Sequence, residues 1–277
     1  MKIILSRKGF DGSNGGMPSP ILPDGTMLSM PIPDDSGDNS LTFDKLVWNG
    51  TKYSDILYQL QGRKKSDYSL LSCHLDPDIR KDIREKTIDD WKPAFGQMES
   101  AQGHLANCGV NEGDLFLFFG WFQQTEYDSN GCLRYARSNT DFYKDSELHA
   151  VYGYMQVGKI INDPEEIKQY YWHAHALDSK ICRTNNTLYI PTEQLSFAPD
   201  LPGYGTLNYS KSKVLTLEGK TKGTWINYKF LQPDRIINEN RKNSAKGDGL
   251  YYAGIWQELV FNANEEMLKW AKQLINS

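Results

Sequence analysis

The sequence predicts an α+β fold with a mixed, largely antiparallel sheet or a partly closed barrel, flanked by helices. Two long apolar stretches, Asp114 to Phe122 and Ala150 to Ile161, have the character of neighbouring core strands. The closing segment Asn262 to Ile275 has apolar residues at helical spacing, which is typical of an amphipathic helix. Strands and helices mixed along the chain favour the α+β class. We expect one domain over residues 1–277, because the sequence has no internal repeat and no low-complexity linker.

Local signals place the other long elements. Lys2 to Ser6 is predicted as a first strand. The glycine- and proline-rich segment 8–39 then favours turns and extended backbone that pack on the core. Helices are expected over Ser54 to Gly62 and over Phe95 to Cys108, where apolar residues recur at helical spacing.

Shorter strands are predicted over Leu70 to Leu75, Val214 to Leu217 and Trp225 to Phe230. In the second long apolar stretch, Gly153 and Gly158 mark positions for a β-bulge or for close packing of another chain segment. A last strand is predicted to begin at residue 255 and to end at residue 261.

The charge of the chain argues against a protein that grips long DNA duplexes. It has 31 Lys and Arg residues against 35 Asp and Glu residues, a formal net charge of −4. A tight binder of the DNA backbone carries a basic face, because neutralised phosphates supply most of the non-specific affinity. A nucleotide substrate and transient contact with nucleic acid are both compatible with this charge.

The cysteines and the N-terminal sequence predict a cytoplasmic protein. The four cysteines form no CxxC pair, which disfavours a zinc ribbon or a thioredoxin-type motif. Widely spaced free thiols are typical of a reducing compartment. The apolar run after Met1 is too short for the core of a signal peptide. No run approaches the roughly 20 apolar residues that cross a bilayer, so no membrane association is expected.

The main candidate for catalysis is the cluster of His74, Asp76 and Asp78 at the C-terminal end of a predicted strand. An imidazole beside carboxylates has the groups of a general base and its orienting partner, or of ligands for a hard metal. The structural alternative is that Asp76 caps a helix over Ile79 to Ile83. Arg80, within that segment, is a candidate for substrate binding.

A second candidate follows the first strand directly. Lys8 and Asp11 lie three residues apart on a glycine-rich turn, and their charges suit an anionic or sugar group. The segment matches neither a Walker loop nor a GxGxxG motif. A surface salt bridge is the alternative interpretation of each residue taken alone.

Two more sets of residues are candidates for substrate binding. His173 and His175 share a face on a strand and diverge on a helix, and a solvated helix end is the alternative to a ligand pair. Trp121, Tyr152 and Tyr154 lie on the two core strands, and their rings have the chemistry to stack on a base.

Three familiar catalytic signatures are missing from the sequence. It contains no GxSxG nucleophile elbow, no HxE with PCxxC of a zinc deaminase, and no HExxH motif. Serine hydrolases of that type, zinc deaminases and zincin proteases are therefore disfavoured. No cofactor is identified and no set of metal ligands is assigned.

One family resemblance rests on segments spread over nearly the whole chain: Ser6 to Asp11, Gly15 and Gly16, Pro18 to Ile21, Pro31 to Pro33, His74 to Asp78, Phe95 to Gln97, Ala101 and Gln102, Gly113 to Phe122, Tyr152 to Gly158, and His173 to His175. In these segments the sequence resembles the third "nucleotide modification associated domain" family. That family is associated with bacterial and phage systems that modify nucleotides or DNA bases. The resemblance implies a role in such a system and no particular reaction.

The core strands carry a second resemblance. A Gly-Asp turn at Gly113, an apolar strand, and the later sequence Val151 to Gly158 are similar to the centre of PUA-like barrels, including the ASCH and EVE types. A generic Gly-Asp turn between a helix and a strand is the alternative interpretation of this pattern. Those folds hold a single base or a modified nucleotide in a pocket. The resemblance implies a barrel wall against which a base is bound.

These observations support three functional hypotheses. The first is an enzyme acting on a nucleotide or base in a polar cleft, where the catalytic candidates His74, Asp76, Asp78 and Asp11 converge with Lys8 at the ends of neighbouring strands. His74 would be the proton carrier, a carboxylate would orient it, and Lys8 would hold an anion. The second is a non-catalytic reader that stacks a base on Trp121, Tyr152 or Tyr154. The third is a structural subunit of a modification complex with partner proteins. The polar set near the N-terminus favours an enzyme, since a pure reader has little use for it.

Overall fold

The structure, a computed structural model, describes residues 1–61, 66–237, 249–254 and 257–277. Its centre is a mixed sheet that curls into a half-barrel, and helices lie against it. The α+β prediction is confirmed.

The strands, in chain order, are β1 Lys2–Arg7, β2 Ser19–Ile21, β3 Ile32–Pro33, β4 Val47–Trp48, β5 Thr51–Lys52, β6 Cys73–His74, β7 Phe95–Gln97, β8 Leu115–Tyr127, β9 Leu133–Tyr135, β10 Leu148–Ile161, β11 Thr187–Pro191, β12 Gln194–Leu195, β13 Ala198–Pro202, β14 Tyr204–Thr206 and β15 Glu258–Asn262. The α-helices are α1 Tyr53–Leu60, α2 Glu99–Asn107, α3 Phe142–Asp145, α4 Pro164–Ile167, α5 Asp178–Ile181 and α6 Glu265–Asn276. Short 3₁₀ turns lie at Phe43–Lys45, Lys81–Ile83, Lys168–Tyr170, Ala174–Ala176, Lys211–Lys213 and Pro233–Arg235.

The two predicted core strands are neighbours. β8 and β10 pair antiparallel, with Ala150 opposite Gly120 and Gln156 opposite Leu115. All residues at positions 115–122 of β8 and 148–157 of β10 are buried. A strand covered on both faces needs apolar residues at successive positions, and this is why both stretches lack the usual alternation.

The sheet extends on both sides of this pair. Its main order is β15-β1-β8-β10-β11-β7, and β1 runs parallel to β8 while β15 runs antiparallel to β1. β2 and β9 pair with the second half of β8, and β14 pairs with β10. The parallel register sets Arg7, the last residue of β1, beside Phe119 in the middle of β8. The loop after β1 therefore starts from the centre of the sheet.

Both glycines predicted as irregular positions of β10 lie at β-bulges. The register shifts between Val151 and Gly153 against β8, and between Val157 and Lys159 against β11. A Cβ atom on Gly153 would lie 2.7 Å from Ile79 Cδ1, and one on Gly158 would lie 2.8 Å from the carbonyl oxygen of Pro191. Only glycine permits both approaches without displacement of the neighbours.

The predicted helix over Phe95 to Cys108 is wrong in its first turn. Residues 95–97 form β7, which pairs antiparallel with Thr187 to Tyr189 of β11, and α2 begins only at Glu99. The apolar spacing that suggested a helix arises because Phe95 packs in the core at 0% exposure. Tertiary pairing here overrides the local pattern.

Several shorter predictions are corrected as well. The strand expected over Leu70 to Leu75 is reduced to β6, and the segments at Val214 and Trp225 make isolated bridges in place of strands. Helix α1 agrees with the predicted helix up to Leu60, and Gly62, where the prediction ended, lies outside the described residues. The closing helix α6 agrees with its prediction, and Asn264 caps it by accepting the N–H of Met267. The last strand is β15; the first positions predicted for it, 255 and 256, lie outside the described residues.

Among the described residues, no helix is long and apolar enough to cross a membrane. The single-domain organisation over residues 1–277 and the likeness to PUA-like barrels stay predictions.

One histidine lies deep in the core next to the paired strands. His149 is enclosed by the rings of Phe119, Trp225 and Tyr252, with ring centroids 5.4–6.0 Å from its own. Its Nδ1 accepts a hydrogen bond of 3.1 Å from the indole N–H of Trp225. Burial, with smaller contributions from the positive charges of Lys222 and Arg7, lowers the pKa of His149 to about 3.

This pKa predicts a loss of stability on acidification. Below the ordinary histidine pKa of 6.5 the unfolded chain takes up a proton at His149, and the folded chain does not until about pH 3. The free energy of unfolding should therefore fall with decreasing pH by up to about 1.4 kcal/mol per pH unit from this group. Urea unfolding between pH 7 and pH 4 measures the slope. In His149→Asn the slope should be smaller than in the unmodified protein, and equal slopes would contradict the assignment.

Candidate functional site

A polar cavity of about 300 Å³ opens beside the end of β1, and we call it the His74 cavity. Segments that are far apart in the sequence line it, from the loops after β1 and β3, from β6 and β7, and from the region of α5. Its charged and imidazole side chains include Lys8, Asp11, Asp34, His74, Asp76, His175 and Lys180. Four candidates from the N-terminal part of the sequence, namely Lys8, Asp11, His74 and Asp76, thus face the same space.

His74 is placed by the short ladder between β3 and β6, in which it lies opposite Ile32. That pairing brings Asp34, two residues further on, to 3.8 Å between its Oδ2 and His74 Nδ1. Lys180, from α5, completes the group. Its ammonium donates to Asp34 Oδ2 at 2.6 Å and to His74 Nδ1 at 3.0 Å.

These contacts fix the protonation of the His74 ring. An ammonium group has no lone pair, so His74 Nδ1 must accept, and the hydrogen of the neutral ring then lies on Nε2. Burial lowers the pKa of His74, and the neighbouring carboxylate of Asp34 opposes this only in part. The ring is therefore neutral at pH 7, and its protonated Nε2 atom lies 3.9 Å from Asp76 Oδ2.

Asp76 is the central carboxylate of the cavity. Its Oδ1 accepts the backbone N–H of Gly96 at 2.8 Å and lies 3.3 Å from His173 Nε2. Burial alone would raise the pKa of Asp76, but the contact with His173 and the positive charge of Lys8 hold it below its ordinary range. The helix-cap alternative is wrong, because the expected helix is only the 3₁₀ turn Lys81–Ile83, which has no side-chain cap.

His175 approaches the same carboxylate from the turn Ala174–Ala176. The amide nitrogen of Asn186 donates to the carbonyl oxygen of His175 at 2.9 Å, which orients that amide. Asn186 Oδ1 therefore accepts from His175 Nδ1 at 2.7 Å. The hydrogen of the neutral ring lies on Nδ1, and Nε2 keeps its lone pair. Burial lowers the pKa of His175 to about 3, so this tautomer persists near neutral pH.

His173 lies behind this group. Its Nδ1 accepts the backbone N–H of His175 at 3.2 Å, and its side chain is fully buried. Its Nε2 is buried and makes no hydrogen bond of good geometry with any described residue, although Asp76 Oδ1 is 3.3 Å away. Both histidines are thus buried, and their interpretation as a solvated helix end is wrong.

Lys8 and Asp11 have different surroundings. Lys8 Nζ lies 3.4 Å from Glu258 Oε1 and 4.4 Å from the centroid of the Phe95 ring. Asp11 Oδ1 accepts the backbone N–H groups of Ser13 and Asn14, and its Oδ2 forms an ion pair of 3.2 Å with Arg7. The Asp11 carboxylate therefore shapes the rim of the cavity and is already engaged by these partners.

Two other candidates lie outside the cavity. Asp78 is fully buried and receives two hydrogen bonds from Arg84, at 3.0 and 2.5 Å, and one from the indole of Trp91 at 3.1 Å. Arg80 lies over the ring of Trp48, 4.7 Å from its centroid. Both side chains stabilise the segment after β6, and neither reaches the His74 cavity.

The three aromatic candidates are buried by their neighbours. Trp121 is 9% exposed, and Tyr152 and Tyr154 are each 4% exposed. The ammonium group of Lys222 covers the ring of Trp121 at 4.1 Å from its centroid. Rings enclosed in this way present no face to a base, so the structure gives no support to stacking on them.

Sequence reasoning missed Asp34, Lys180 and Asn186. Lys180 and Asn186 make the hydrogen bonds that set the tautomers of His74 and His175, and Asp34 lies 3.8 Å from His74 and holds Lys180 beside it. Each is separated from its histidine by at least 11 positions along the chain. Their residue types carry no signal, because Asp, Lys and Asn in loops and short helices are ordinary surface residues.

A family model described as nucleotide modification associated domain 3 matches residues 2–262. The chain belongs to this family. Its members are domains of nucleotide modification systems, so involvement in such a system follows from membership. No curated protein and no solved structure matches the chain.

The packing of His175 on β7 can be tested with a single methyl group. A Cβ atom on Gly96 would lie 2.2 Å from Cδ2 of His175. Gly96→Ala should displace the imidazole, weaken the bond from Gly96 N–H to Asp76, and destabilise the protein by about 1–3 kcal/mol. Urea unfolding measures the change.

The matched control is Gly103→Ala, within helix α2. A Cβ atom there meets nothing closer than Asn185 Nδ2 at 3.9 Å. Alanine is favoured over glycine in a helix by up to about 1 kcal/mol, so this variant should be neutral or stabilised. Equal destabilisation of both variants would show that the position of the His175 ring does not depend on the absence of a side chain at position 96.

Proposed function

We propose that the His74 cavity binds a nucleotide or a single nucleobase, and that the chain acts on it within a nucleotide modification system. The observation that carries this proposal is the convergence of Lys8, His74, Asp76 and His175 on one cavity, in a chain of this family. Convergent polar groups in a concave site are the usual basis of small-molecule recognition.

The size of the cavity favours a small ligand. Its volume of about 300 Å³ lies at the lower end of the range for small-molecule sites. A duplex cannot enter such a space, and a target base has to be free, single-stranded or turned out of the helix. The net charge of −4 also disfavours tight binding along a DNA backbone.

Lys8 is the group best suited to hold a phosphate. Of the three cations that line the cavity, Lys180 has a short ion pair with Asp34 at 2.6 Å, and Arg7 pairs with Asp11 at 3.2 Å. Lys8 has the longest ion pair, 3.4 Å to Glu258, and an ammonium carries three donors. A phosphate at Lys8 would leave the base beside His74, Asp76 and His175.

The proposal predicts that binding depends on Lys8. Calorimetric titration with the four deoxynucleoside 5′-monophosphates, and with a short single-stranded DNA, should show saturable binding of at least one. In Lys8→Met that binding should weaken roughly 10- to 100-fold, since a charge-assisted hydrogen bond contributes about 1.5–3 kcal/mol. Duplex DNA of the same length should bind far more weakly than the strand.

The control is Lys222→Met, which also removes one lysine. Lys222 lies outside the cavity, in an ion pair of 2.8 Å with Glu147 and over the Trp121 ring. Its removal should leave nucleotide affinity unchanged. If Lys222→Met abolished binding and Lys8→Met did not, the ligand would sit at Trp121, and the cavity proposal would be wrong. Absence of binding to every probe would also refute it.

A further inference from the structure

We infer that the His74 cavity holds a divalent first-row transition-metal ion, ligated by His74, Asp76 and His175. The inference goes beyond nucleotide binding and rests on the geometry of these side chains alone. One potential ligand atom from each of the three lies within 4.8 Å of the other two. Side-chain exposure is 14% for His74 and 5% for Asp76, and His175 is 2% exposed, so the donors are preorganised and largely shielded from water.

The distances are close to those of a metal site. Bonds of about 2.0–2.2 Å from a zinc-like ion place adjacent ligand atoms roughly 3–3.5 Å apart. The ligand atoms, which lie within 4.8 Å of one another, therefore need to draw together by up to roughly 1.3–1.8 Å. The remaining positions of the ion would face the cavity, where Lys8 lies.

His175 already has the outer contact of a metal ligand. A ligating imidazole donates its second ring N–H to a carbonyl or carboxylate oxygen, and this contact fixes which nitrogen keeps its lone pair. His175 donates Nδ1–H to Asn186 Oδ1 at 2.7 Å. Its Nε2 is then the ligating atom.

A second observation concerns His173, which lies next to Asp76. His173 Nε2 is fully buried, makes no hydrogen bond of good geometry within the described part of the chain, and lies 3.3 Å from Asp76 Oδ1. An orphaned buried polar atom is costly, and in native proteins it often marks the place of a ligand, an ion or a water. An ion drawing Asp76 Oδ2 toward the cavity would turn this carboxylate and bring its Oδ1 to His173.

Lys180 opposes binding of the ion through its contact with His74. Its hydrogen bond to His74 Nδ1 places the ring proton on Nε2, the atom nearer to Asp76. Metal binding requires the other tautomer, with Nδ1–H donated to Asp34 Oδ2, at present 3.8 Å away. Lys180 can release the ring and keep its ion pair of 2.6 Å with that carboxylate. Asp34 would then orient His74 as carboxylates orient ligating histidines in other metal sites.

The donor set indicates the class of metal. Two imidazoles and one carboxylate suit zinc, cobalt, manganese or ferrous iron, and the set of two histidines and one carboxylate with open positions is known from non-haem iron enzymes. Magnesium and calcium prefer oxygen ligands alone and should bind weakly here.

The test uses the full chain after treatment with a chelator, without any nucleotide. Titration with Co²⁺, followed by visible absorption, and with Zn²⁺, followed by calorimetry, should show a single ion per chain. Binding should weaken by at least roughly 100-fold in Asp76→Asn and in His175→Ala, which lose direct ligands. Mg²⁺ should not displace Co²⁺. The control is Asp38→Asn, at an exposed carboxylate bonded to Ser179, which should bind as the unmodified chain does.

Variants of the residues that contact the two ligating histidines keep the inference testable if a variant of a ligand itself fails to fold. Asp34→Asn and Asn186→Ala should each weaken binding roughly 10- to 100-fold. Lys180→Met should tighten it severalfold, because His74 Nδ1 is released. A purely structural role for Lys180 would not tighten binding of a metal. The inference is overturned if the unmodified chain binds neither ion, if Mg²⁺ competes equally, or if these variants bind as the unmodified chain does. Because no nucleotide is present, failure here leaves the nucleotide-binding proposal to its own test.

Discussion

The antiparallel ladder between β8 and β10 is the interaction on which the rest of the structure depends. β8 also pairs with β1, β2 and β9, so the backbone groups of one strand hold four others in register. The parallel register of β1 against β8 ends at Phe119, whose carbonyl oxygen accepts the backbone N–H of Lys8 at 2.9 Å. The ladder between β1 and β8 therefore decides where the chain leaves the core and enters the His74 cavity.

The cavity concentrates charged and ionisable groups where burial is unfavourable. Carboxylates and imidazoles removed from water are tolerated only with partners, and an apolar cluster of equal size is often the more stable choice. The ion pair of Asp78 with Arg84 shows the structural solution, since each Asp78 oxygen accepts from the guanidinium. The contact between Asp76 and His173 is less complete, because Asp76 Oδ1 and His173 Nε2 lie 3.3 Å apart in a geometry unsuited to a hydrogen bond. Incomplete satisfaction of this kind is typical of functional sites, where perturbed groups cluster.

The tautomers of the cavity histidines follow from their partners. Lys180 makes His74 an acceptor at Nδ1, while Asn186 makes His175 a donor at Nδ1. The two rings, 5.3 Å apart, therefore present opposite protonation at their other nitrogen atoms. A donor and an acceptor side by side suit recognition of a base edge. If His74 Nδ1 exchanged its contact with Lys180 for one with Asp34, Nε2 of both rings would carry a lone pair and both rings would be able to bind a metal ion. The proposed nucleotide binding and the inferred metal binding would thus depend on the same surrounding side chains, Asp34, Lys180 and Asn186.

Much of the frame was predictable from local pattern. The continuous apolar character of β8 and β10 is dictated by burial on both faces, and the bulges at Gly153 and Gly158 follow from the lack of a Cβ atom. The helix over Phe95 was predicted wrongly, because a residue that packs on a sheet has the same apolar character as one on a helix face. Of the candidate site residues, His74 and Asp76 stood out as an imidazole and a carboxylate two positions apart.

The sequence by itself determined the class of fold, the core strands and the family, since these depend on side-chain character repeated along continuous segments. The meeting of His74 with His175, of His74 with Asp34 and Lys180, and of His175 with Asn186 was decided only by the tertiary structure. Burial and hydrogen bonding set the protonation of each ring, and these are properties of neighbours in space. A loop aspartate or a helix lysine acquires its role only when the sheet has brought its partner within about 3 Å, the range of a hydrogen bond.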